Sequence, residues 1–252
     1  MLSALYVGRS LLHSSFATVI THPKYTHFYF PLKKLAASEK RVLETEVDYY
    51  KRLSVKHKKY YEHRVAKFLQ THPIVPRESI ELTPQMRVLI ASSSVSLTFG
   101  LKRYTYRSFN TILLYPNTYY STITKEYHKG EFNPKNKVLV FSWEHFLEGK
   151  KNPTDNINLG LHEFAHALHF DMKLKSHPNS IQFRKHFLKL LLELRNPAKR
   201  EKILATGYFR EYAFKNKYEF LAVLVEHYFE TPEVFKQHFP VFFEKLRKML
   251  NQ

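Results

Sequence analysis

Asn158-Leu-Gly-Leu-His-Glu-Phe-Ala-His166 is the stretch on which the reading of this chain turns. Residues 162–166 have the pattern H-E-x-x-H, and the apolar residues around them predict a helix over about 157–170. Two positions four apart on a helix lie one turn apart and about 40° around the axis. His162 and His166 therefore point the same way and can grip one metal ion. Glu163 falls on the flank of that face, within reach of a metal-held water but not of the metal itself. Phe164, Ala165, Ala167 and Leu168 make the rest of the helix apolar, which predicts burial. A buried glutamate and two buried histidines each cost free energy unless paired or metal-bound. The spacing points to a zinc site with a carboxylate base, the donor set of a zinc peptidase.

Such a site takes three protein ligands and leaves a position for water. His169 is seven residues from His162, about 10 Å along the axis, too far to share a metal with both histidines. His227 is available but isolated. Glu219 and Glu226 lie seven apart on one face of a predicted apolar helix, 217–230, with the small Ala222 between them allowing close approach. Either carboxylate can complete the set.

Outward from the motif, charged sequence with helical apolar spacing predicts a helix over 39–70, ended by His72-Pro73. Thr83-Pro84 opens a buried helix that Gly100 closes as a C-cap. Thr111–Tyr115 and Lys137–Trp143 read as strands. Further helices are expected over 179–195 and 233–250, with Thr231-Pro232 as a break. These elements predict a mainly helical α+β body over 39–252 with a small central sheet, after an irregular N-terminal segment, 1–38.

Composition narrows the chemistry. The 252 residues include no cysteine, which excludes disulfides and cysteine-held zinc and suits a reducing, cytoplasmic location. Six glycines against 21 Phe and 17 Tyr argue against a glycine-rich phosphate-binding fold. The net charge of +18 raises nucleic acid as a partner. The basic residues are dispersed, however, and no recognised nucleic-acid motif is present, so a solvated basic surface is the expectation. Leu11–Ile20, the most apolar N-terminal stretch, is too short and too polar to span a membrane.

The run 158–166, together with Glu219-Phe-Leu-Ala-Val-Leu-Val-Glu-His-Tyr-Phe-Glu-Thr-Pro232, resembles the MtfA family of zinc peptidases, also called glucose-regulated metallopeptidases. Met86–Ala91, Leu113–Pro116 and Val138–Trp143 add ordered matches, so the resemblance covers about 40–250. It implies a zincin-like fold, one zinc ion per chain and hydrolysis of peptide or protein substrates. It also implies His162, His166 and Glu219 as the ligands and Glu163 as the base. Glu226 would orient a ligand histidine. By likeness to related zincins, Tyr212 would stabilise the transition state, with Tyr208 as its rival. A substrate would pair with an edge strand, for which Lys137–Trp143 is the nearest candidate, and the aromatic segment Tyr115–Tyr127 would shape side-chain pockets. Enterobacterial members bind a glucose-responsive repressor, which makes a regulator-docking scaffold with little hydrolysis the second reading.

Overall fold

The computed structural model describes residues 27–121, 125–174 and 176–252. The Leu11–Ile20 stretch and most of the expected N-terminal segment lie outside these residues. The described part of that segment, 27–36, packs onto the body. The His27 ring stacks on Phe99 at 4.6 Å, and the Tyr29 ring stacks on His63 at 4.2 Å.

The expected helix 39–70 is three helices: α1 (Ala37–Glu46), α2 (Asp48–Lys51) and α3 (Val55–Thr71). The chain turns at Val47, which is extended, and again at Ser54, whose hydroxyl accepts the His57 amide as a helix cap. Both turns bring apolar residues inward. Leu43, Val47 and Tyr50, at i, i+4, i+7 spacing, all reach the core.

After β1 (Ile74–Pro76) comes α4 (Pro84–Thr98), capped by Thr83 as its sequence predicts. From Val88 to its end α4 is buried. Its end differs from expectation: Phe99 is the C-cap, and Gly100 does not adopt a left-handed conformation. Glycine is required there by contact instead. A Cβ at position 100 would lie 2.2 Å from the Asn251 carbonyl oxygen and 2.4 Å from that of Leu250. The side chain of Asn251 in turn donates to the Gly100 carbonyl at 2.7 Å. Gly100→Ala should therefore destabilise the fold by about 2–3 kcal/mol, the cost of overpacking against unyielding backbone. Urea unfolding measures this, and an unchanged midpoint would refute the contact.

The sheet has strand order β1-β2-β6-β5, where β2 is Thr111–Tyr115, β5 is Gly130–Asn133 and β6 is Val138–Ser142. Strands β1, β2 and β6 run parallel, and β5 runs antiparallel to β6. A separate hairpin joins β3 (Tyr119–Ser121) to β4 (Glu126–His128). The strand expected at the edge, Lys137–Trp143, is therefore interior: β6 is flanked on both sides, which its almost fully buried sequence permits. The edge beside the motif helix is β5.

Helices α5 (Trp143–Lys151) and α6 (Leu159–Leu174) follow, then α7 (Pro178–Arg195) and α8 (Pro197–Ala205). A short 3-10 turn, Glu211–Phe214, leads into α9 (Lys217–Glu230). The expected helix 233–250 is split into α10 (Pro232–His238) and α11 (Pro240–Leu250). Pro240 starts a new helix because the residue before a proline avoids the helical region. Phe164, inside the motif, anchors α6 in the core, with its ring within 5.6–6.2 Å of Phe141, Phe68, Tyr106 and Phe109. Among the described residues, no helix is long and apolar enough to cross a membrane.

Candidate metal centre

Asn158 sets the start of α6. Its side-chain oxygen accepts the Leu161 amide at 3.0 Å and its carbonyl accepts that of His162. The helix then carries His162 and His166 on the face turned to α9, their ring centres 4.7 Å apart and nearly perpendicular. Asn216 caps α9 by accepting the amides of Tyr218 and Glu219, which fixes Glu219 in the first turn. The Glu219 carboxylate lies 2.9 Å from His162 Nε2 and 3.5 Å from His166 Nε2.

These three residues each offer one ligand atom, and the atoms all lie within 4.8 Å of one another. Tetrahedral zinc with bonds of about 2.0–2.1 Å needs its ligand atoms about 3.3 Å apart. The observed separations bracket that value, so this donor set fits the ion that the sequence implies. Two imidazoles and a carboxylate are also the donor chemistry of an open, water-accessible zinc site.

Glu226 touches the other edge of the same ring. Its carboxylate is 3.4 Å from His162 Nδ1, so His162 lies between two glutamates of one helix, seven residues apart. That contact keeps the Nδ1 proton in place and leaves Nε2 facing the metal position. Burial opposes charge on His162, but the carboxylates of Glu219 and Glu226 outweigh it and raise its pKa to about 10. Glu226 is itself almost fully buried. It accepts hydrogen bonds from Arg210, at 2.7 Å, and from the Asn158 amide, at 3.0 Å. Arg210 is a part of the site that the sequence reading missed. The signal for it was a second buried glutamate in need of a counter-cation.

The same asparagine links to Glu230, its side-chain amide donating to that carboxylate at 2.9 Å. Burial raises the Glu230 pKa from 4.5 to about 7. The native chain thus holds this proton longer than the unfolded chain does. Stability should fall as pH rises from about 4.5 to about 7. Glu230→Gln removes that titration. The variant should match the wild type in melting temperature near pH 5 and exceed it at pH 8. A constant difference across that range would contradict the assignment.

Glu163 is only 7% exposed, and its side chain lies against Gly130 of β5, close enough to His162, His166 and Glu219 to interact with their charges. Its carboxylate accepts the backbone amide of Phe132, and burial raises its pKa. Gly130 makes this approach possible. A Cβ there would come within 3.1 Å of Glu163 Cγ and 2.7 Å of a Leu159 methyl. Neither Gly130 nor Phe132 was legible as a site residue, because their role follows from strand pairing.

Tyr212 sits on the 3-10 turn with its ring 5.9 Å from that of His162. Burial and the hydrogen-bonded Glu219 carboxylate push its pKa up to about 12. Its rival Tyr208 packs away from the centre, among Phe209, His227 and His238. His227 is a core residue, its pKa lowered to about 4 by burial. His169 turns from the ligands toward Phe187 and Tyr218. A cleft of about 820 Å³ opens over His162, Glu163 and Tyr212, walled by Tyr127–Gly130 on one side and by His145, Glu148 and Asp155 on another. Of the aromatic segment expected to shape it, Tyr127 lines the cleft, and residues 122–124 lie outside the described residues.

The family model described as glucose-regulated metallo-peptidase M90 matches residues 30–250. An uncharacterized protein of Synechocystis sp. is 25% identical over 229 residues, spanning 82% of this chain and 81% of the relative.

Proposed function

The chain belongs to the glucose-regulated metallopeptidase family M90, and on that premise we propose that it is a zinc-dependent peptidase whose ligands are His162, His166 and Glu219. The observation that carries this reading is the convergence of these three side chains beside a buried, separately held Glu163. A family of metallopeptidases implies a metal and peptide substrates; zinc is the ion that the donor set suits.

When bound, zinc would lower the pKa of a water molecule and polarise the carbonyl to be cleaved. Glu163 is the base that takes the proton from the attacking water and delivers it to the leaving amine. Its raised pKa suits both halves of that shuttle, since a group that must give the proton back cannot be a strong acid. Glu226 holds the His162 tautomer, and Arg210 holds Glu226. Tyr212 keeps its proton at neutral pH and donates toward the oxyanion that develops on the substrate. The outer edge of β5, apart from the Phe132 amide that Glu163 holds, pairs with an extended substrate backbone above the motif helix. A cytoplasmic location belongs to the same reading, in keeping with a chain without cysteine.

The test is metal analysis joined to hydrolysis of chromogenic amino-acid and peptide substrates. About one zinc per chain and turnover lost on chelation and regained on adding zinc are expected. Stoichiometric zinc with no turnover on any substrate would favour the regulator-docking scaffold instead. No zinc after reconstitution of the folded chain would defeat both.

A further inference from the structure

Beyond His166, α6 continues to His169 and Lys173, and these two residues begin a groove separate from the cleft. A hollow of about 190 Å³ lies between α6, α7 and the first turn of α9, with Phe183, Phe187 and Leu191 as its apolar wall. A second hollow, of about 230 Å³, continues along α7 over Leu194, Phe214 and Phe220. The two meet at Leu191 and Lys217, which line both. Together they follow α7 from Phe183 to Arg195, about 18 Å at 1.5 Å per residue. That length holds about five residues of extended chain at 3.3 Å each.

The charge lining this groove has one sign. Lys173, Arg184 and Lys217 rim the first hollow, Arg195 and Arg200 the second, and no carboxylate lines either. The single acidic residue of α7, Glu193, is held by Lys199 and Lys245 at 2.6 Å and 2.8 Å. Leu188, on the groove lip, is 59% exposed. His169 adds no charge at neutral pH, because burial, with Lys217, His166 and Lys173 nearby, lowers its pKa to about 4.

The position relative to the centre gives the groove its use. The cleft is lined by α6 residues up to Glu163, and the groove by α6 residues from His169 onward. Tyr218, in the groove wall, adjoins Glu219. The groove thus begins three residues after His166 on α6 and one residue before Glu219 on α9, within about one helical turn of the candidate ligands along both helices. We propose that the groove is an accessory site that binds one flank of a polypeptide substrate, a segment of about five residues in which acidic side chains alternate with aliphatic ones. The acidic groups pair with the rim cations and the aliphatic groups cover Phe187, Leu191 and Phe214. The proposal rests on the peptidase reading for its purpose but not for its measurement.

The experiment is fluorescence polarisation with the zinc-loaded full chain and a labelled ten-residue peptide of alternating Glu and Val. The same peptide with Lys in place of Glu is the comparison. The acidic peptide should bind at least tenfold more tightly. Arg195→Glu combined with Arg200→Glu should remove at least tenfold of that affinity. It should leave hydrolysis of a short uncharged chromogenic substrate within twofold. Lys56→Glu with Lys59→Glu, on α3, reverses the same charge away from the groove and should leave peptide affinity within twofold. An equal loss from both double variants would mean that the overall charge of +18 attracts the peptide, and would overturn the proposal. So would peptide binding that ignores the Arg195/Arg200 reversal. If phosphatidylglycerol vesicles or random DNA respond to that reversal and the peptide does not, the groove serves another partner and the proposal again fails. Absence of hydrolysis on every substrate would sink the peptidase reading alone, since the binding result stands without it.

Discussion

Glu163→Gln should lower turnover by about 10²–10⁴-fold, the usual worth of a positioned general base, while metal content stays the same. The expectation follows from where the side chain sits. Its carboxylate is buried against β5 and takes a hydrogen bond from the Phe132 amide, outside the set of three atoms that converge on the metal position. Glutamine keeps the volume and can still accept from Phe132, so packing should survive. What it cannot do is take a proton from water. The variant should therefore match the wild type in zinc stoichiometry and thermal unfolding and differ in kcat. Near-native kcat would mean that another group is the base. Lost zinc would mean that Glu163 is a ligand.

The second large effect separates the two glutamates of α9. Glu219→Ala removes one of three ligand atoms and should empty the site at ordinary zinc concentrations. Glu226→Gln removes only the charge behind His162 and should weaken zinc by about 10–100-fold, as losses of such supporting contacts do. Glutamine is chosen at 226 because it keeps the side-chain volume and its one oxygen can still accept from the Asn158 amide, giving up only the Arg210 bond, whereas alanine would leave both donors without that acceptor in a buried place. Competition with a zinc chelator measures both variants. If Glu226→Gln is the variant that empties the site and Glu219→Ala keeps it filled, the two roles must be exchanged.

That His162 and His166 share one helix face was legible because this geometry is a property of any helix, independent of what surrounds it. The same helical arithmetic set His169 apart from the ligands, and its ring is found against Phe187 and Tyr218. For α9, spacing alone narrowed the choice to Glu219 and Glu226. Both turn out to touch His162, on opposite ring nitrogens, which no one-dimensional spacing could reveal. The sheet was harder to read. Gly130-Glu-Phe-Asn133 has one apolar residue in four and carries no strand signature. It is a strand because β6 offers it a partner, and its presence moves β6 from the edge to the interior. The breaks at Val47 and Ser54 carry no proline or glycine to announce them, whereas the break at Pro240 follows from the proline itself. At the first, Val47 is extended, and at the second the Ser54 hydroxyl caps a new helix by accepting the His57 amide.

The ligands come from two helices that the core already holds together. Phe164, Ala165 and Leu168 of α6 and Phe220, Ala222 and Val223 of α9 belong to one continuous apolar cluster. His162 and Glu219 are 57 residues apart in sequence, and that packing brings them together. On the zinc-peptidase reading, the ion would meet a site whose closure entropy is already settled, unlike the small domains that remain unfolded until metal arrives. Its binding energy would go into coordination and not into folding. The ion could then leave and return within the lifetime of one folded molecule. The supply of zinc, without new synthesis or refolding of the chain, would be enough to turn such an activity off and on again.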